Sequence, residues 1–353
     1  MNEHNQLTLS TNDLKQKKNL SDEDLVACIH EITNEEISVK SKKDFLKALA
    51  QKGETEEEFA VFIREFRKLS VDPELEDFAP SAIDLCGTGG DKSHSFNIST
   101  FVSFMVASAG VPVIKHGNRS ISSKCGSADL IEGIGLPLIS SLPMIRRSME
   151  ELNFTFLFAP NFHPAFKHIA PVRKALAEEN IITIFNLLGP TINPAAPANQ
   201  LLGVFNPALI KKIGQALTAN KVTSGIVVHG LVNDPLTTGV DELTNCGTNQ
   251  VFGIGNLAMP ETENWAPGKW NVKEGIFSDL SGGNLQENLK IMNLLLEGDA
   301  PKSLKTTVLM NAATAFWVQG KCSSLEEGME LSESLLTNGT VKQWIEKASN
   351  LFK

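Results

Sequence analysis

Residues 84–100 of the 353-residue chain carry the densest group of residues suited to binding a charged substrate. The stretch reads DLCGTGGDKSHSFNIST, so an apolar run enters a glycine-rich turn and a helix is predicted to begin near Ser99. Gly87, Gly89 and Gly90 permit positive φ and let backbone N–H groups approach an anion, which the dipole of the following helix also attracts. The pattern therefore predicts a phosphate-binding loop. A tight turn with Ser99 as the helix cap is the alternative.

This loop matches neither the dinucleotide-binding fingerprint nor the P-loop. A second group of polar residues follows the next apolar run, where Lys115-His-Gly-Asn-Arg119 leads into hydroxyls and glycines up to Ser127. The carboxyl ends of neighbouring parallel strands lie at the same edge of a sheet, so both loops would face one crevice. Two such loops favour a ligand with several phosphates, and a solvated basic loop is the alternative.

Adjacent carboxylates follow another apolar run, SGIVVHG, in the segment Gly239-Val-Asp-Glu-Leu-Thr244. Magnesium prefers hard oxygen ligands and often uses one or two carboxylates together with water and substrate phosphates. Asp241 and Glu242 suit that role. An isolated Asp-Glu pair is also common on protein surfaces, so this interpretation depends on the two phosphate loops.

The segment FLFAPNFHPAFKHIAPVR places His163 and Arg173 after a strand-like run. A guanidinium can contact a carboxylate through two parallel hydrogen bonds, and an imidazole can lie beside a flat ring. The sequence therefore offers a site for an aromatic acid, although both residues could equally be structural.

Composition limits the possible partners. The net charge of −9 disfavours a general nucleic-acid binder. No apolar run reaches the length of a membrane span, and the first twenty residues lack the hydrophobic middle of a signal peptide. Five widely spaced cysteines fit neither a disulfide framework nor a zinc site. We therefore expect a cytoplasmic protein with reduced thiols and with neither a nucleic-acid nor a membrane partner.

Three amphipathic helices are predicted between residues 20 and 70, beginning at Ser21, Ser41 and Thr55, each followed three residues later by an acidic residue. From about residue 82, short apolar runs alternate with helical patterns, which is typical of an α/β domain with a mostly parallel sheet flanked by helices. Residues 255–275 read as a long irregular loop.

Five motifs resemble those of the anthranilate phosphoribosyltransferases in order and spacing. They are GTGGDKSHSFNIST, KHGNRSISSKCGSADL, FLFAPNFHPAFKHIAPVR, IFNLLGPTINP and GVDEL, and the likeness extends from about residue 20 to the C-terminal helices with LMNAA. The resemblance implies an Mg²⁺-dependent enzyme that transfers the phosphoribosyl group of phosphoribosyl pyrophosphate (PRPP) to anthranilate, in tryptophan biosynthesis.

The same resemblance implies a small N-terminal helical domain and a large α/β domain with the active site between them. We expect a flexible polar leader over 1–19, a helical domain over 20–78 joined in space by a segment around 163–190, and a PRPP-binding domain over 79–353. The family also implies a homodimer formed through the helical domain.

Site residues are carried over motif by motif. PRPP would contact Gly87, Thr88, Gly90, Asp91, Asn97, Ser99, Thr100, Lys115 and Ser127. Anthranilate would contact Gly87, Asn118, His163 and Arg173. Two Mg²⁺ ions would be held by Ser99, Asp241 and Glu242, and catalysis would rest on Lys115, Asp241 and Glu242.

Two rivals share this fold. A pyrimidine nucleoside phosphorylase is opposed by KHGNRSISSKCGS, which replaces the glycine loop with arginine and histidine expected there. A nucleic-acid-binding paralogue is opposed by the net charge and by Asp241-Glu242. A phosphoribosyltransferase for another aromatic amine stays open, because Ile182 stands where the family has an arginine and the run ALAEENII is longer than usual.

Overall fold

The computed structural model describes residues 5–91, 93–119, 124–138, 140–232, 234 and 239–353. Its α-helices are α1 Gln6–Lys15, α2 Asp22–Thr33, α3 Val39–Lys52, α4 Glu56–Lys68, α5 Ile98–Ser108, α6 Ser127–Gly133, α7 Leu142–Leu152, α8 Ala159–Phe162, α9 Ala170–Glu178, α10 Phe185–Leu188, α11 Ile210–Ala219, α12 Leu285–Glu297, α13 Lys302–Gln319, α14 Leu325–Thr337 and α15 Thr340–Asn350. Its strands are β1 Ile83–Gly87, β2 Val113–Gly117, β3 Phe154–Phe158, β4 Asn199–Gly203, β5 Ser224–Leu231, β6 Gly239–Val240, β7 Asn249–Gly255 and β8 Glu263–Trp265. Short 3₁₀ helices span Pro164–His168, Gly189–Thr191, Pro207–Leu209, Pro267–Trp270 and Phe277–Leu280.

The predicted helix starts are largely confirmed in the N-terminal region. Ser21 caps α2, and Thr55 caps α4 in a full capping box with Glu58. The start of α3 is wrong by three residues, because the Ser38 hydroxyl accepts from the Ser41 N–H at 3.1 Å and so forms the cap itself. Each cap satisfies a backbone donor that the helix leaves unpaired.

The expectation of a flexible polar leader differs from the structure, because residues 6–15 form α1. Leu7 and Leu14 are fully buried in the core of the helical region. The Glu31 carboxylate accepts from the Gln6 and Leu7 N–H groups at 3.0 and 2.9 Å, which fixes the start of this helix. Leu7 and Leu14 are seven residues apart and lie on one helical face. These two apolar residues are enough to hold α1 in place, because α3 covers them.

One sheet organises the rest of the chain. Its strand order is β3-β2-β1-β4-β5-β7-β8, and β6 pairs with β5. The five strands from β3 to β5 are parallel, whereas β6 and β7 run antiparallel to β5 and β8 runs antiparallel to β7. The predicted α/β class with a mostly parallel sheet is confirmed. The carboxyl ends of β1 and β2 therefore do lie side by side, as the phosphate-loop argument required.

The sheet separates two cores. On one face, strand side chains pack with α5, α13, α14 and α15 in the largest apolar cluster. On the other face, Leu202 and Val227 join a cluster that continues into the helical region, and Ile169 and Leu176 of the 163–190 segment belong to it. Lys47 of α3 also donates to Glu179 at 2.9 Å. The boundaries proposed for the two domains stay a prediction.

Residues 255–275 are more regular than the irregular loop that we predicted. They contain β8 and the 3₁₀ helix Pro267–Trp270, because Trp265 and Trp270 are both buried with their ring centroids 5.6 Å apart. The five cysteines are buried. Within the described ranges, no helix is both long enough and apolar enough to cross a membrane.

Candidate active site

The glycine-rich loop leaves β1 at the carboxyl edge of the sheet and turns directly against the Asp-Glu pair. Gly89 and Gly90 have φ of +64° and +82°, as the phosphate-loop interpretation predicted. The Gly89 N–H donates to Asp241 Oδ2 at 2.6 Å. Gly87 is needed for a different reason, since a Cβ there would overlap the Asp241 carboxyl group. The loop therefore combines two left-handed turns with one close approach.

Ser99 contacts both Lys115, where the second polar group of residues begins, and the Glu242 carboxylate. Helix α5 begins at Ile98, and the preceding Asn97 side chain does not cap it, so its first N–H groups need other partners. The Ser99 N–H donates to Glu242 Oε1 at 3.2 Å, and the Lys115 ammonium donates to Ser99 Oγ at 3.3 Å. Lys115 is fully buried and also donates to the Leu85 carbonyl oxygen. A cation, a carboxylate and a helix N-terminus thus meet at one residue.

Burial perturbs all three charged groups. It raises the pKa of Asp241 to about 7, with the nearby Asp91 charge adding to the effect. Burial likewise raises the pKa of Glu242, and the charge of Asp241 raises it further. Burial lowers the pKa of Lys115, while Asp84 and Glu242 oppose that change. Carboxylates held this close without a cation are destabilised, so the arrangement favours a bound positive ion.

This donor set fits magnesium only as a shared site. No group of three or more His, Cys, Asp or Glu side chains in the described part of the chain is arranged to hold an ion by itself. Mg²⁺ commonly takes one or two carboxylates and completes its coordination with water and substrate phosphates. Asp241 and Glu242 beside the phosphate loop match that mode.

Several other residues assigned to PRPP surround this centre with roles in shaping it. Thr88 Oγ1 accepts from the Phe205 N–H at 3.0 Å, which ties the loop to the exit of β4. Asp91 Oδ2 accepts from the Asp241 N–H at 3.4 Å. Asn97 precedes α5, and the Thr100 hydroxyl is buried with no hydrogen-bond partner among the described residues. Ser127 opens α6, apart from these contacts.

Of the residues assigned to anthranilate, His163 and Arg173 lie on the other face of β2, whereas Gly87 is in the glycine loop beside Asp241. Successive side chains of a strand point to opposite faces, so Lys115 and His116 face different sides. His116 Nε2 lies 3.0 Å from His163 Nε2, and the His163 ring packs edge-on against Phe166 with centroids 5.7 Å apart. The Arg173 guanidinium lies 6.0 Å from the centre of the same Phe166 ring. Phe166 therefore connects His163 with Arg173. Asn118 is exposed just beyond β2.

Comparison with known proteins identifies the family. Residues 79–342 match the family model described as "Glycosyl transferase family, a/b domain". The anthranilate phosphoribosyltransferase of Synechococcus elongatus is 38% identical over 300 residues, which cover 84% of this chain and 83% of that protein. That of Alkaliphilus metalliredigens is 35% identical over 337 residues, which cover 96% and 95%. The chain belongs to the anthranilate phosphoribosyltransferase family.

Solved structures of this family share the fold. The crystal structure of the Thermus thermophilus anthranilate phosphoribosyltransferase has a TM-score of 0.84 at 33% identity, over 96% of this chain and 98% of that one. The Saccharomyces cerevisiae enzyme in complex with PRPP and Mg has a TM-score of 0.82 at 23% identity, over 98% and 99%, and indicates the fold alone. Family membership resolves the choice against the nucleoside phosphorylase and the nucleic-acid-binding paralogue.

Burial disfavours the charged form of both histidines on this face of β2. Burial lowers the pKa of His163 to about 4. Burial also lowers the pKa of His116, and the neighbouring His163 lowers it further. This face therefore presents uncharged rings, which suit a flat aromatic ligand.

One buried acidic residue close to Lys115, Asp84, was not among the residues predicted from the sequence. Asp84 of β1 is fully buried, and its Oδ2 accepts from Asn193 Nδ2 at 2.9 Å. Burial raises the pKa of Asp84 to about 6, against the effects of Asn193 and Lys115. Arg67 of α4 donates to the Thr191 carbonyl oxygen at 2.8 Å. One acidic residue inside the otherwise apolar run AIDLC was the available signal for Asp84.

The departure from the family at Ile182 has a local explanation. Helix α9 ends at Glu178, and Asn180 has a φ of +56°, so the longer run forms a turn. Ile182 is 63% exposed, while its neighbour Ile181 packs against the apolar core. Its side chain therefore lies largely in solvent.

Proposed function

We propose that this site transfers the 5-phosphoribosyl group of PRPP to the amino nitrogen of anthranilate, giving N-(5-phosphoribosyl)anthranilate and pyrophosphate. The observation that carries the assignment is the convergence at Ser99 of the Lys115 ammonium, the Glu242 carboxylate and the N-terminus of α5. The glycine loop, Asn97, Thr100 and Ser127 complete the PRPP side in this proposal. His163, Arg173 and Asn118 form the anthranilate side.

The reaction exchanges one bond at the ribose C1 atom. The bond from C1 to the pyrophosphate oxygen breaks, the bond to the anthranilate nitrogen forms on the opposite face, and configuration inverts. In this proposal Lys115 and the glycine loop stabilise the negative charge that grows on the leaving pyrophosphate in the transition state. Arg173 and the rings on the other face hold the aromatic acid in position.

No protein base is needed for the amine. Anthranilate's amino group is uncharged at neutral pH, because an aromatic amine is weakly basic. The proton that it loses on bond formation can pass transiently to its own carboxylate and then to water. The neutral His116–His163 pair therefore needs only to orient the ring.

Asp241, Glu242 and Ser99 would hold Mg²⁺, and we propose that two ions bind together with PRPP. When bound, Mg²⁺ neutralises charge on the departing pyrophosphate. The raised pKa of Asp241, caused first by burial and then by Asp91, supports this assignment, because a cation would relieve that repulsion.

The decisive assay follows anthranilate fluorescence in purified protein with PRPP and Mg²⁺. We expect fluorescence to fall with stoichiometric release of pyrophosphate, and EDTA to stop the reaction. Asp241→Asn should chiefly impair metal-dependent turnover. Failure to consume anthranilate, together with phosphorolysis of a pyrimidine nucleoside, would overturn the assignment.

We also propose a homodimer formed through the helical region over 20–78, and a cytoplasmic location. The exposed apolar residues Val39 at the start of α3 and Leu9 on α1, which packs against α3, support an interface there. Light scattering on purified protein should give twice the monomer mass, and Leu9→Asp with Val39→Asp should shift it toward the monomer. A monomeric wild-type protein would contradict the dimer, and cell fractionation tests the location.

A further inference from the structure

Asparagine side chains hydrogen-bond the backbone that follows Asp241 and Glu242. Beyond Glu242, residues 243–245 are buried against α13 and β7. Only the two acidic side chains keep part of their surface open to the cleft. The direction in which the Asp241 and Glu242 side chains point therefore depends on the hydrogen bonds that hold the backbone of residues 243–245.

Asn311 of α13 provides the nearest anchor. Its Oδ1 accepts from the Leu243 N–H at 3.2 Å, and its Nδ2 donates to the Leu243 carbonyl oxygen at 2.8 Å. The same Nδ2 donates to the Thr307 carbonyl oxygen at 2.8 Å, which fixes the amide on its own helix. A carboxamide has one acceptor oxygen and two N–H donors, and here it pairs with both backbone groups of one residue, as a neighbouring strand would. Asn311 is 1% exposed, so water does not compete for these bonds.

The space around Glu242 makes this anchor important. A small cavity is lined by Glu242, Ser99 and Asn311, among other residues. Here Glu242 lines the cavity, and its carboxylate accepts one hydrogen bond of 3.2 Å from the Ser99 N–H. The position of Glu242 thus depends on the backbone of the residue that follows it.

Asn249 makes a similar pair of backbone hydrogen bonds and serves as the control for Asn311. Asn249 Oδ1 accepts from the Thr244 N–H at 2.8 Å, and Asn249 Nδ2 donates to the Thr244 carbonyl oxygen at 3.0 Å. This pairing has the same form, but it is one residue farther from Glu242. Asn249 Nδ2 also donates to the Trp265 carbonyl oxygen at 3.2 Å, so Asn249 helps to hold β8 against β7.

We propose that Asn311 is a positioning residue for the metal site, acting through Leu243 to hold the Asp241 and Glu242 carboxylates toward the phosphate loop. The inference rests on the proposed function, because it takes those two carboxylates as metal ligands. Groups behind metal ligands commonly change metal affinity by roughly 10- to 100-fold when removed.

The test measures binding of Mn²⁺, as a paramagnetic substitute for Mg²⁺, to the full-length protein with PRPP and without anthranilate. Asn311→Ala should weaken Mn²⁺ binding by about tenfold and leave the KM for anthranilate nearly unchanged. Asn249→Ala should weaken it by less than about threefold, and we expect thermal unfolding to show a comparable loss of stability in both variants. If Asn311→Ala does not fold, Asn311→Ser, which keeps one small polar group, takes its place with the same expectation.

Different outcomes would contradict the positioning role of Asn311 and the proposed metal site. Unchanged Mn²⁺ affinity in the Asn311 variant, or an equal loss in the Asn249 variant, would overturn the positioning role and leave the metal site intact. Glu242→Gln serves as the reference. If it binds Mn²⁺ as well as the wild type does, the assignment of the metal ligands fails and the role of Asn311 fails with it.

Discussion

The two faces of β2 hold different chemistry at the same edge of the sheet. On one face, Lys115 meets Ser99 and Glu242, and burial perturbs the pKa of each ionisable group in the direction that a ligand of opposite charge would reverse. On the other face, His116 pairs with His163 beside Phe166, and burial keeps both imidazoles neutral. The alternation of a strand places these neighbours apart, so one short strand separates the phosphate side from the aromatic side.

The comparison explains how the site tolerates its buried charges. An unpaired buried charge is costly, and on the phosphate face the substrate and its cation supply the missing partners. The acceptor face needs no such partner, because its contacts are ring to ring, with Arg173 available for a carboxylate. Substitutions on the phosphate face should therefore affect turnover, and substitutions on the acceptor face should affect affinity for anthranilate.

The largest effect is expected for Lys115→Met. If Lys115 stabilises the leaving pyrophosphate as proposed, its loss should lower kcat by roughly 10²- to 10³-fold, while the KM for anthranilate changes little. Steady-state kinetics with both substrates varied will measure it, and circular dichroism will check the fold. A variant with kcat near the wild-type value would contradict the role of the phosphate face.

Arg173→Ala should act mainly on binding. Loss of a guanidinium contact to the acceptor carboxylate should raise the KM for anthranilate by roughly 10- to 100-fold and leave kcat within about threefold. Lys174→Ala, an exposed neighbour on α9, is the matched control. A fall in kcat without a change in KM would show that Arg173 acts elsewhere.

Gly87→Ala should disturb the phosphate face through packing. The added Cβ would overlap the Asp241 carboxyl group, so this carboxylate must move away from the glycine loop. We expect the Mg²⁺ concentration for half-maximal activity to rise by about tenfold. Gly268→Ala, where the Cβ meets no atom within 4 Å, controls for the substitution itself. Equal Mg²⁺ requirements in the two variants would argue against the close approach.

The smallest effect concerns the pH dependence of stability on the acceptor face. The pKa of His163 is about 4 in the folded protein because of burial, below its ordinary 6.5. Between these values the unfolded chain binds the proton and the folded chain does not, so this contribution is complete above pH 6.5 and is lost as pH falls toward 4. The fall in Tm between neutral pH and pH 5 should be about 2–4 °C smaller in His163→Gln.

The exposed His30 on α2 offers the control for this measurement. His30→Gln controls for the removal of an imidazole from the chain. A His163→Gln variant with the full wild-type dependence would contradict the view that the acceptor face excludes charge.

The sequence by itself determined the features that depend on neighbours in the chain. The caps at Ser21 and Thr55 and the positive φ of Gly89 and Gly90 follow from local backbone preferences, which a few residues specify. The apolar runs indicated a parallel sheet, and that placed the two loops together. The Ser41 cap and the leader over 1–19 were wrong, because competing caps and sparse apolar faces are decided by what packs against them.

Only the tertiary structure decided the contacts between residues far apart in the chain. The His116–His163 pair joins positions 47 apart, and Asn311 reaches Leu243 across 68. Local propensity carries no information about such pairs, because the free energy that selects them comes from burial of the whole core and from satisfying polar groups within it. The chemistry was readable in the motifs, and its division between the two faces of β2 became visible only in the fold.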